Sequence, residues 1–230
     1  MRVSERDMAD AFEILLRKHA GFAGLPEFSS TFREVACRQG IADFVAASGP
    51  CLEAAEFQQM VDGARSAGTG WLAALSLLRR AAPRSISYLV RQSGLARRTV
   101  CRALARLARA GLVLRTPSGS YLLAPAWCPP PVEIWAFELK VNDWRRALFQ
   151  ALQCRAFANY VVAVFPSQRR KLAQRHIDKF KRLNVGVMLL DVEAMEAEIL
   201  SRPSKNGPSS RLHYLHAFTQ LVSSGGSLRS

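Results

Sequence analysis

The chain has 230 residues, of which 32 are Lys or Arg and 18 are Asp or Glu, so its formal net charge is +14. Apolar residues make up 49% and charged residues 22%, which is ordinary for a globular protein and excludes wholesale disorder. No apolar run approaches the roughly 20 residues that span a bilayer, and the N-terminal segment is too polar for a signal peptide.

Cysteine usage and charge give the first indications of location and partner. The five cysteines are scattered and form no CxxC pair, so neither a disulfide framework nor a zinc knuckle is expected. This usage favours a reducing, cytoplasmic location. The lack of a spanning apolar run predicts no membrane partner. The excess of positive charge indicates a polyanionic partner, most simply nucleic acid.

The N-terminal part is predicted to hold one helix and one hairpin. Residues 8–21 have the spacing of an amphipathic helix, and this helix carries Glu13. Residues 30–47 are typical of two strands joined by a turn at Gly40. In the second strand Asp43 alternates with apolar neighbours, so an acidic side chain lies on an otherwise apolar strand.

The positive charge is concentrated in one segment. Residues 63–132 contain eleven arginines and no acidic residue. Removing these eleven from the 32 basic residues leaves 21 against 18 acidic ones. Such a segment is either a solvated basic face or a docking surface for phosphates, and the cost of its self-repulsion favours docking.

This arginine-rich segment has the pattern of three helices and a hairpin. Helices are predicted over 71–82, 85–94 and 97–111, followed by a hairpin over 112–125. The boundaries are marked by residues that stop or cap helices: Pro83, Ser85 or Ser87, Gly94 and Gly111. In the third helix four arginines fall within about 80° of one another, opposite Val100, Leu104 and Leu107.

This order of elements resembles a winged helix-turn-helix domain over residues 71–125: two helices, a short link, a basic helix and a hairpin. The resemblance implies that the third helix enters the major groove of DNA and that the hairpin contacts the backbone. It places the following residues at DNA: Arg97, Arg98, Thr99, Arg102, Arg106, Arg109 and Arg115. The alternative is an arginine-rich helix that only keeps the protein in solution.

A strand after the proline cluster carries two unexpected charges. Residues 132–141 predict a strand on which Glu138 and Lys140 share one face, while large apolar residues share the other. A carboxylate and an ammonium group are costly to bury on such a strand unless they are paired or bind something. Helices are predicted over 143–160 and 167–183, alternating with strands over 161–166 and 185–192.

An Asp on a hairpin strand, followed by Glu-x-Lys on a later strand, resembles the PD-(D/E)XK nuclease superfamily. The resemblance implies an α/β fold with a restriction-endonuclease-like mixed sheet, flanked by helices and interrupted by the winged helix. The implied organisation is a nuclease core in two parts, residues 1–62 and 129–200, with the inserted domain at 63–128. Residues 201–230 are rich in Ser, Gly and Pro, which predicts a flexible tail apart from the apolar stretch 212–222.

The resemblance also assigns chemistry to particular residues. Asp43, Glu138 and the carbonyl of Leu139 would hold Mg²⁺, with Mn²⁺ as the alternative ion. Lys140 would orient or help to deprotonate the attacking water, and Gln150 would orient Lys140 or the phosphate. Glu13 would add a further acidic contact. Against this, Glu138 and Lys140 can belong to a surface ladder, Asp43 can simply follow a turn, and Glu13 can be a solvated helix residue.

Two functions follow from these patterns. The leading expectation is a metal-dependent endonuclease that hydrolyses phosphodiester bonds in DNA, with double-stranded DNA held by the winged helix. The alternative is a non-catalytic DNA-binding transcriptional regulator on a degenerate nuclease core. A homodimer is compatible with either function.

Overall fold

The structure, a computed structural model, describes residues 3–18, 22–37, 40–49, 55–129 and 131–224. The chain divides into two compact units, residues 1–51 with 131–217 and residues 52–130 with 218–230. We call them the sheet unit and the helical unit. The described residues form these helices and strands: α1 Glu5–Lys18, β1 Ser30–Cys37, β2 Gly40–Ser48, α2 Ala55–Arg65, α3 Trp71–Leu77, α4 Ile86–Ser93, α5 Arg97–Arg109, β3 Val113–Arg115, β4 Tyr121–Leu123, β5 Glu133–Leu139, α6 Trp144–Cys154, β6 Tyr160–Pro166, α7 Arg170–Arg182, β7 Gly186–Asp191, β8 Glu196–Ser201 and α8 Arg211–Ser224.

The sheet unit is built on a mixed six-stranded sheet with the strand order β1-β2-β5-β6-β7-β8. The β1–β2, β2–β5 and β7–β8 pairs are antiparallel, whereas β5–β6 and β6–β7 are parallel. The two parallel pairs are joined through α6 and α7, because parallel neighbours need a crossover connection. A mixed α/β fold, as predicted, is therefore confirmed.

Strand alternation separates the two faces of this sheet. On one face the ring of Phe12 from α1 meets Phe44 of β2 at 5.3 Å and Phe137 of β5 at 5.1 Å, both edge to face. On the other face Glu138, the next residue of β5, meets Cys154 of α6. Because successive residues of β5 point to opposite faces, α1 and α6 cover opposite sides of the sheet.

Several elements of the sheet unit differ from the sequence-based expectations. Helix α6 ends at Cys154 rather than continuing to residue 160, because the next residues turn tightly and bury Ala156, Phe157 and Ala158. The stretch expected as a tail contains the end of β8, and the apolar residues 212–222, which the sequence sets apart from the flexible part, form most of α8. Leu215, Phe218, Leu221 and Val222 of α8 are buried, which gives this helix apolar contacts. Residues 225–230 of the expected tail lie outside the described residues.

The helical unit contains α2 to α5 and the two-stranded sheet β3–β4. Helix α5 buries Val100, Ala103, Leu104 and Leu107, so the expected apolar face is confirmed. Ser85 caps α4 by accepting a hydrogen bond from the Tyr88 N–H. Gly94 ends that helix with a φ of 68°, a left-handed conformation that favours glycine.

Helix α3 ends at Leu77, so the prediction that it continues to Pro83 is wrong. Leu78 is extended, and the Arg79 carbonyl accepts a hydrogen bond from the Leu123 N–H. Arg84 and Tyr121 then exchange two backbone hydrogen bonds. The chain leaves the helix early because its backbone groups pair with the hairpin strand β4.

The helical unit also begins before the expected boundary at residue 63. It includes α2, which the sequence pattern did not indicate. The Arg65 side chain donates to the Thr219 carbonyl, and Gln58 donates to the Val222 carbonyl at 2.5 Å. These bonds connect α2 to the C-terminal part of α8.

Every helix in the described part of the chain is too short or too polar to span a bilayer.

Candidate functional site

Asp43 lies where β2 and β5 stop pairing. The register of these strands runs to the pair Phe44–Phe137, and the next residues on each strand are Asp43 and Glu138. Asp43 Oδ2 accepts a hydrogen bond of 2.8 Å from the Leu139 N–H. The carboxylate thus acts as the acceptor for a β5 N–H group, where a backbone carbonyl would act in a continued strand pair. This bond holds it next to Glu138 and Lys140.

Lys140 directly follows the last residue of β5, and its side chain is only 7% exposed. Its ammonium nitrogen lies 3.4 Å from Asp43 Oδ2 and 3.8 Å from Glu5 Oε2 of α1. It also donates a hydrogen bond of 2.8 Å to the Leu139 carbonyl. Burial of this charge is offset because three oxygen atoms lie within 3.8 Å of the ammonium nitrogen.

Glu138 is the most buried acid of the cluster, with 1% of the residue exposed. Its Oε1 accepts a hydrogen bond from the Cys154 thiol at 3.3 Å, while Oε2 is buried without a partner among the described residues. Burial, followed by the charge of Asp43, raises the pKa of Glu138 from 4.5 to about 7; Cys154 and Lys140 oppose this shift. Glu138 therefore changes its charge near neutral pH.

Asp43 also faces an open cleft of about 490 Å³ in the sheet unit. Both acidic and basic side chains line it, together with apolar residues and the end of β5. The charged residues of its lining are Glu5, Arg6, Arg33, Glu34 and Asp43. The cleft gives a polar ligand access to the Asp43 carboxylate.

Glu5, not Glu13, is the acid of α1 that lies near Lys140. Glu13 instead pairs with Arg17 at 2.8 Å and with Arg33 at 3.1 Å. Helix α1 begins at Glu5, three residues before the predicted start at residue 8. The missed signal is a capping box, because Ser4 Oγ accepts from the Asp7 N–H while Asp7 accepts from the Ser4 N–H.

Gln150 lies near Glu138, not against Lys140. With Glu138 and Cys154 it lines a cavity of about 10 Å³ behind the sheet, which is close to the minimum for one water molecule. Gln150 Oε1 is buried without a partner among the described residues, as is Glu138 Oε2. Gln150 is therefore placed to affect Glu138 and has no hydrogen bond to Lys140.

The acids of the site offer a small set of metal-ligating oxygens. Within the described ranges no three His, Cys, Asp or Glu side chains form a group that could hold a metal ion. The carboxylates of Asp43 and Glu138 do lie close together, however, because the Asp43 charge raises the pKa of Glu138. Within those ranges Glu138 Oε2 also has no hydrogen-bond partner. A cation that takes hard oxygen ligands and keeps several waters, such as Mg²⁺, fits this donor set. The Leu139 carbonyl is less suited because it accepts from Lys140.

The basic face of α5 is exposed in the helical unit. No ion pair joins an arginine of this face, or Arg115 of β3, to any acid in the described part of the chain; the exposed arginines are Arg97, Arg98, Arg102, Arg106, Arg109 and Arg115. Thr99 is half-buried, and its methyl group packs closely against Gly70. If Gly70 carried a Cβ, that atom would lie only 3.1 Å from the Thr99 methyl carbon. Thr99 thus packs within the unit more than the neighbouring arginines do.

Comparisons with known proteins gave no match for this chain. No protein-family model matches it, and neither a curated protein nor a solved structure shows significant similarity to it.

Proposed function

We propose that this protein is a metal-dependent DNA endonuclease with a PD-(D/E)XK core and an inserted winged helix. The observation that carries the proposal is the convergence of Asp43, Glu138 and Lys140 at the point where β2 and β5 separate. The order of α1, the β1–β2 hairpin, β5, α6 and β6 supports the same core. Two carboxylates can hold a metal ion that assists phosphodiester hydrolysis, and a lysine beside them can stabilise the developing negative charge.

In this proposal Asp43 and Glu138 would hold Mg²⁺ or Mn²⁺, which would supply charge neutralisation at the phosphate and an acidic water. Lys140 lies beside Asp43, where its ammonium group can orient the attacking water and offset negative charge on the phosphate. Cys154 holds Glu138 in place through its thiol hydrogen bond. Glu5 helps to keep the Lys140 side chain at the cleft.

The helical unit supports the DNA-binding part of the proposal. Helix α5 has one packed face and one face of exposed arginines, and it follows α4 after a short link. The β3–β4 hairpin is extended by an antiparallel backbone bridge between Arg84, which precedes α4, and Tyr121 of β4. We propose that α5 enters the major groove of duplex DNA and that Arg115 on the hairpin contacts the phosphate backbone.

The second candidate is a DNA-binding regulator without nuclease activity. One observation favours it: Lys140 donates to the Leu139 carbonyl and also contacts Asp43, so its ammonium group occupies part of the donor set. In this alternative the Lys140–Asp43 pair has only a structural role. The two candidates share the DNA-binding surface and differ in whether phosphodiester bonds are cut.

A cleavage assay separates the candidates. Supercoiled, linear and single-stranded DNA are incubated with the protein in Mg²⁺, in Mn²⁺ and in EDTA. The endonuclease proposal expects metal-dependent cutting that Lys140→Ala abolishes, whereas Lys205→Ala, a surface lysine paired with Glu133 in the same unit, leaves it intact. Intact DNA under every metal condition, together with normal DNA binding, establishes the regulator.

A further inference from the structure

The sheet unit carries a second basic surface, formed by α6 and α7. Along α7, Lys171, Arg175, Lys179 and Arg182 recur every three or four residues and are exposed, so they share one face of the helix. Arg145 and Arg146 are exposed at the start of α6. We call these six cations, with Trp144, Phe149 and His176, the α6–α7 face.

An aromatic stack joins the two helices at this face. The rings of Trp144 and His176 lie 4.0 Å apart at an angle of 20°. Lys179 Nζ lies 4.4 Å from the centroid of the Trp144 ring, and the Arg145 guanidinium lies 4.9 Å from it. These cation–π contacts hold two positive charges close together without neutralising them.

The six cations of this face outnumber the nearby acids of the two helices, Asp143 and Asp178. Asp143 caps α6, where it accepts from the Arg146 N–H, and Asp178 is exposed on α7. Neither acid forms an ion pair within the described residues. Burial and the nearby Lys179, Arg175 and Arg145 lower the pKa of His176, which fits a positive local potential.

Phe149 gives the face an exposed aromatic ring. It is 63% exposed, whereas Phe12, Phe44, Phe137, Phe157, Phe165, Phe180 and Phe218 are nearly fully buried. It lies on α6 three and four residues after Arg146 and Arg145, so these side chains are neighbours on the helix surface. A solvent-exposed phenylalanine beside unpaired cations is the combination that binds single-stranded nucleic acid, in which bases stack and phosphates meet positive charge.

We propose that the α6–α7 face binds a single-stranded segment of DNA, with a base stacked on Phe149 and phosphates on Arg145, Arg175 and Lys179. The inference rests on the proposed nuclease function and names its substrate class: DNA that contains both duplex and unpaired segments. The face begins at Trp144, four residues after Lys140 in the sequence. The α6–α7 face therefore belongs to the sheet unit, which also holds the candidate catalytic residues.

Binding of labelled oligonucleotides to the full chain tests this inference. The probes are a single strand of about 12 nucleotides, which lies within known single-strand site sizes, and a duplex of the same length. Phe149→Ala and the pair Arg175→Ala with Lys179→Ala should each weaken single-strand binding about tenfold and change duplex binding by less than about twofold. The pair Arg98→Ala with Arg102→Ala in α5 should do the reverse.

Two controls match these changes in chemistry. Leu183→Ala removes another exposed apolar side chain of the sheet unit, which is 40% exposed. Arg169→Ala with Lys181→Ala removes two exposed positive charges near or in α7 but outside the α6–α7 face. Both controls should bind the two probes like the unmodified protein, because neither alters Phe149 or the cations beside it.

The possible outcomes separate this inference from the proposed function. Single-strand binding that Phe149→Ala leaves unchanged overturns the inference, as does equal competition by polyglutamate, which has charge but no bases. The inference is also overturned if the α6–α7 variants bind the single strand and the duplex more weakly by the same factor. If Phe149→Ala acts as expected but no DNA is cut, the inference stands and the nuclease part of the proposed function fails. If Phe149→Ala acts as expected but the α5 variant binds duplex normally, single-strand binding by the α6–α7 face stands, whereas duplex binding by α5 and the duplex part of the substrate class fail.

Discussion

The ammonium nitrogen of Lys140 lies 3.4 Å from Oδ2 of Asp43, although 97 residues separate them in the chain. The whole arginine-rich segment lies between them in sequence. Strand pairing of β2 with β5 brings the two residues together, because the antiparallel register continues from Phe44–Phe137 to the position of Asp43 and Glu138. The cluster around this pair supports three predictions, on stability, ionisation and activity, and the arginine face of α5 supports a fourth, on binding.

The first prediction concerns the stability of the Lys140–Asp43 pair. Asp43→Ala removes the acceptor for the Leu139 N–H and a carboxylate beside the buried ammonium. The free energy of unfolding should fall by about 2 kcal/mol, the cost of leaving buried polar groups unsatisfied. Adding Lys140→Met should recover part of this loss, and urea unfolding of the two single variants and the double variant measures the coupling. Strictly additive effects would mean that the two side chains do not interact.

The second prediction concerns the pH dependence of stability through Glu138. Because its pKa rises from 4.5 unfolded to about 7 folded, the folded state binds more protons between these values. Stability should therefore fall as pH rises from 4.5 to 7, by up to about 3 kcal/mol. Urea unfolding in EDTA at pH 5 and pH 8 measures this loss. Glu138→Gln should abolish it, and a variant with the same pH dependence as the unmodified protein contradicts the assignment.

The third prediction concerns Cys154, which donates its thiol hydrogen bond to Glu138 Oε1. This bond lowers the pKa of Glu138, so Cys154→Ala should raise that pKa further. The acidic limb of the pH–rate profile for DNA cleavage should move to higher pH by about half a unit to one unit. Cys154→Ser keeps a donor and should restore most of the original profile. An unmoved acidic limb in Cys154→Ala would separate Glu138 from the rate-determining ionisation.

The fourth prediction concerns the salt dependence of duplex binding through α5. Replacing Arg98 and Arg102 with Ala should weaken duplex binding. It should also reduce the slope of log affinity against log salt by about 0.9 for each lost phosphate contact. Titrations at several salt concentrations measure the slope, and Arg169→Ala with Lys181→Ala is the charge-matched control. The same slope in the α5 variant and the unmodified protein is evidence that this face does not meet phosphates.

Local patterns predicted much of this molecule. Alternation of apolar residues located the β1–β2 hairpin and β5, and the opposite positions of Val100, Leu104 and Leu107 gave the packed face of α5. Alternation also placed Asp43 and Glu138 on apolar strands. Their proximity depends on the pairing of β2 with β5, a long-range contact that the resemblance to a known core implied and strand patterns alone do not specify.

The errors arise where tertiary contacts override local signals. Helix α3 was predicted to reach Pro83, but hydrogen bonds between Arg84 and Tyr121 of the hairpin draw the chain into an extended form. The stretch from residue 201 contains α8, whose apolar residues 212–222 stand apart from the flanking Ser, Gly and Pro, and Phe218 and Leu221 are buried in it. The role expected of Glu13 depends on where its side chain points, which the helical pattern does not specify. In the structure its carboxylate pairs with Arg33 of β1.

The central claim is that Asp43, Glu138 and Lys140 form a metal-dependent nuclease site, and DNA cleavage by Lys140→Ala tests it most directly. Supercoiled DNA is incubated with the unmodified protein, Lys140→Ala and the control Lys205→Ala in Mg²⁺, in Mn²⁺ and in EDTA. We expect the unmodified protein and the control to cut only with metal, and Lys140→Ala to cut at least about a hundredfold more slowly while binding DNA normally. Equal cutting by Lys140→Ala, or none by the unmodified protein with either metal, contradicts the claim.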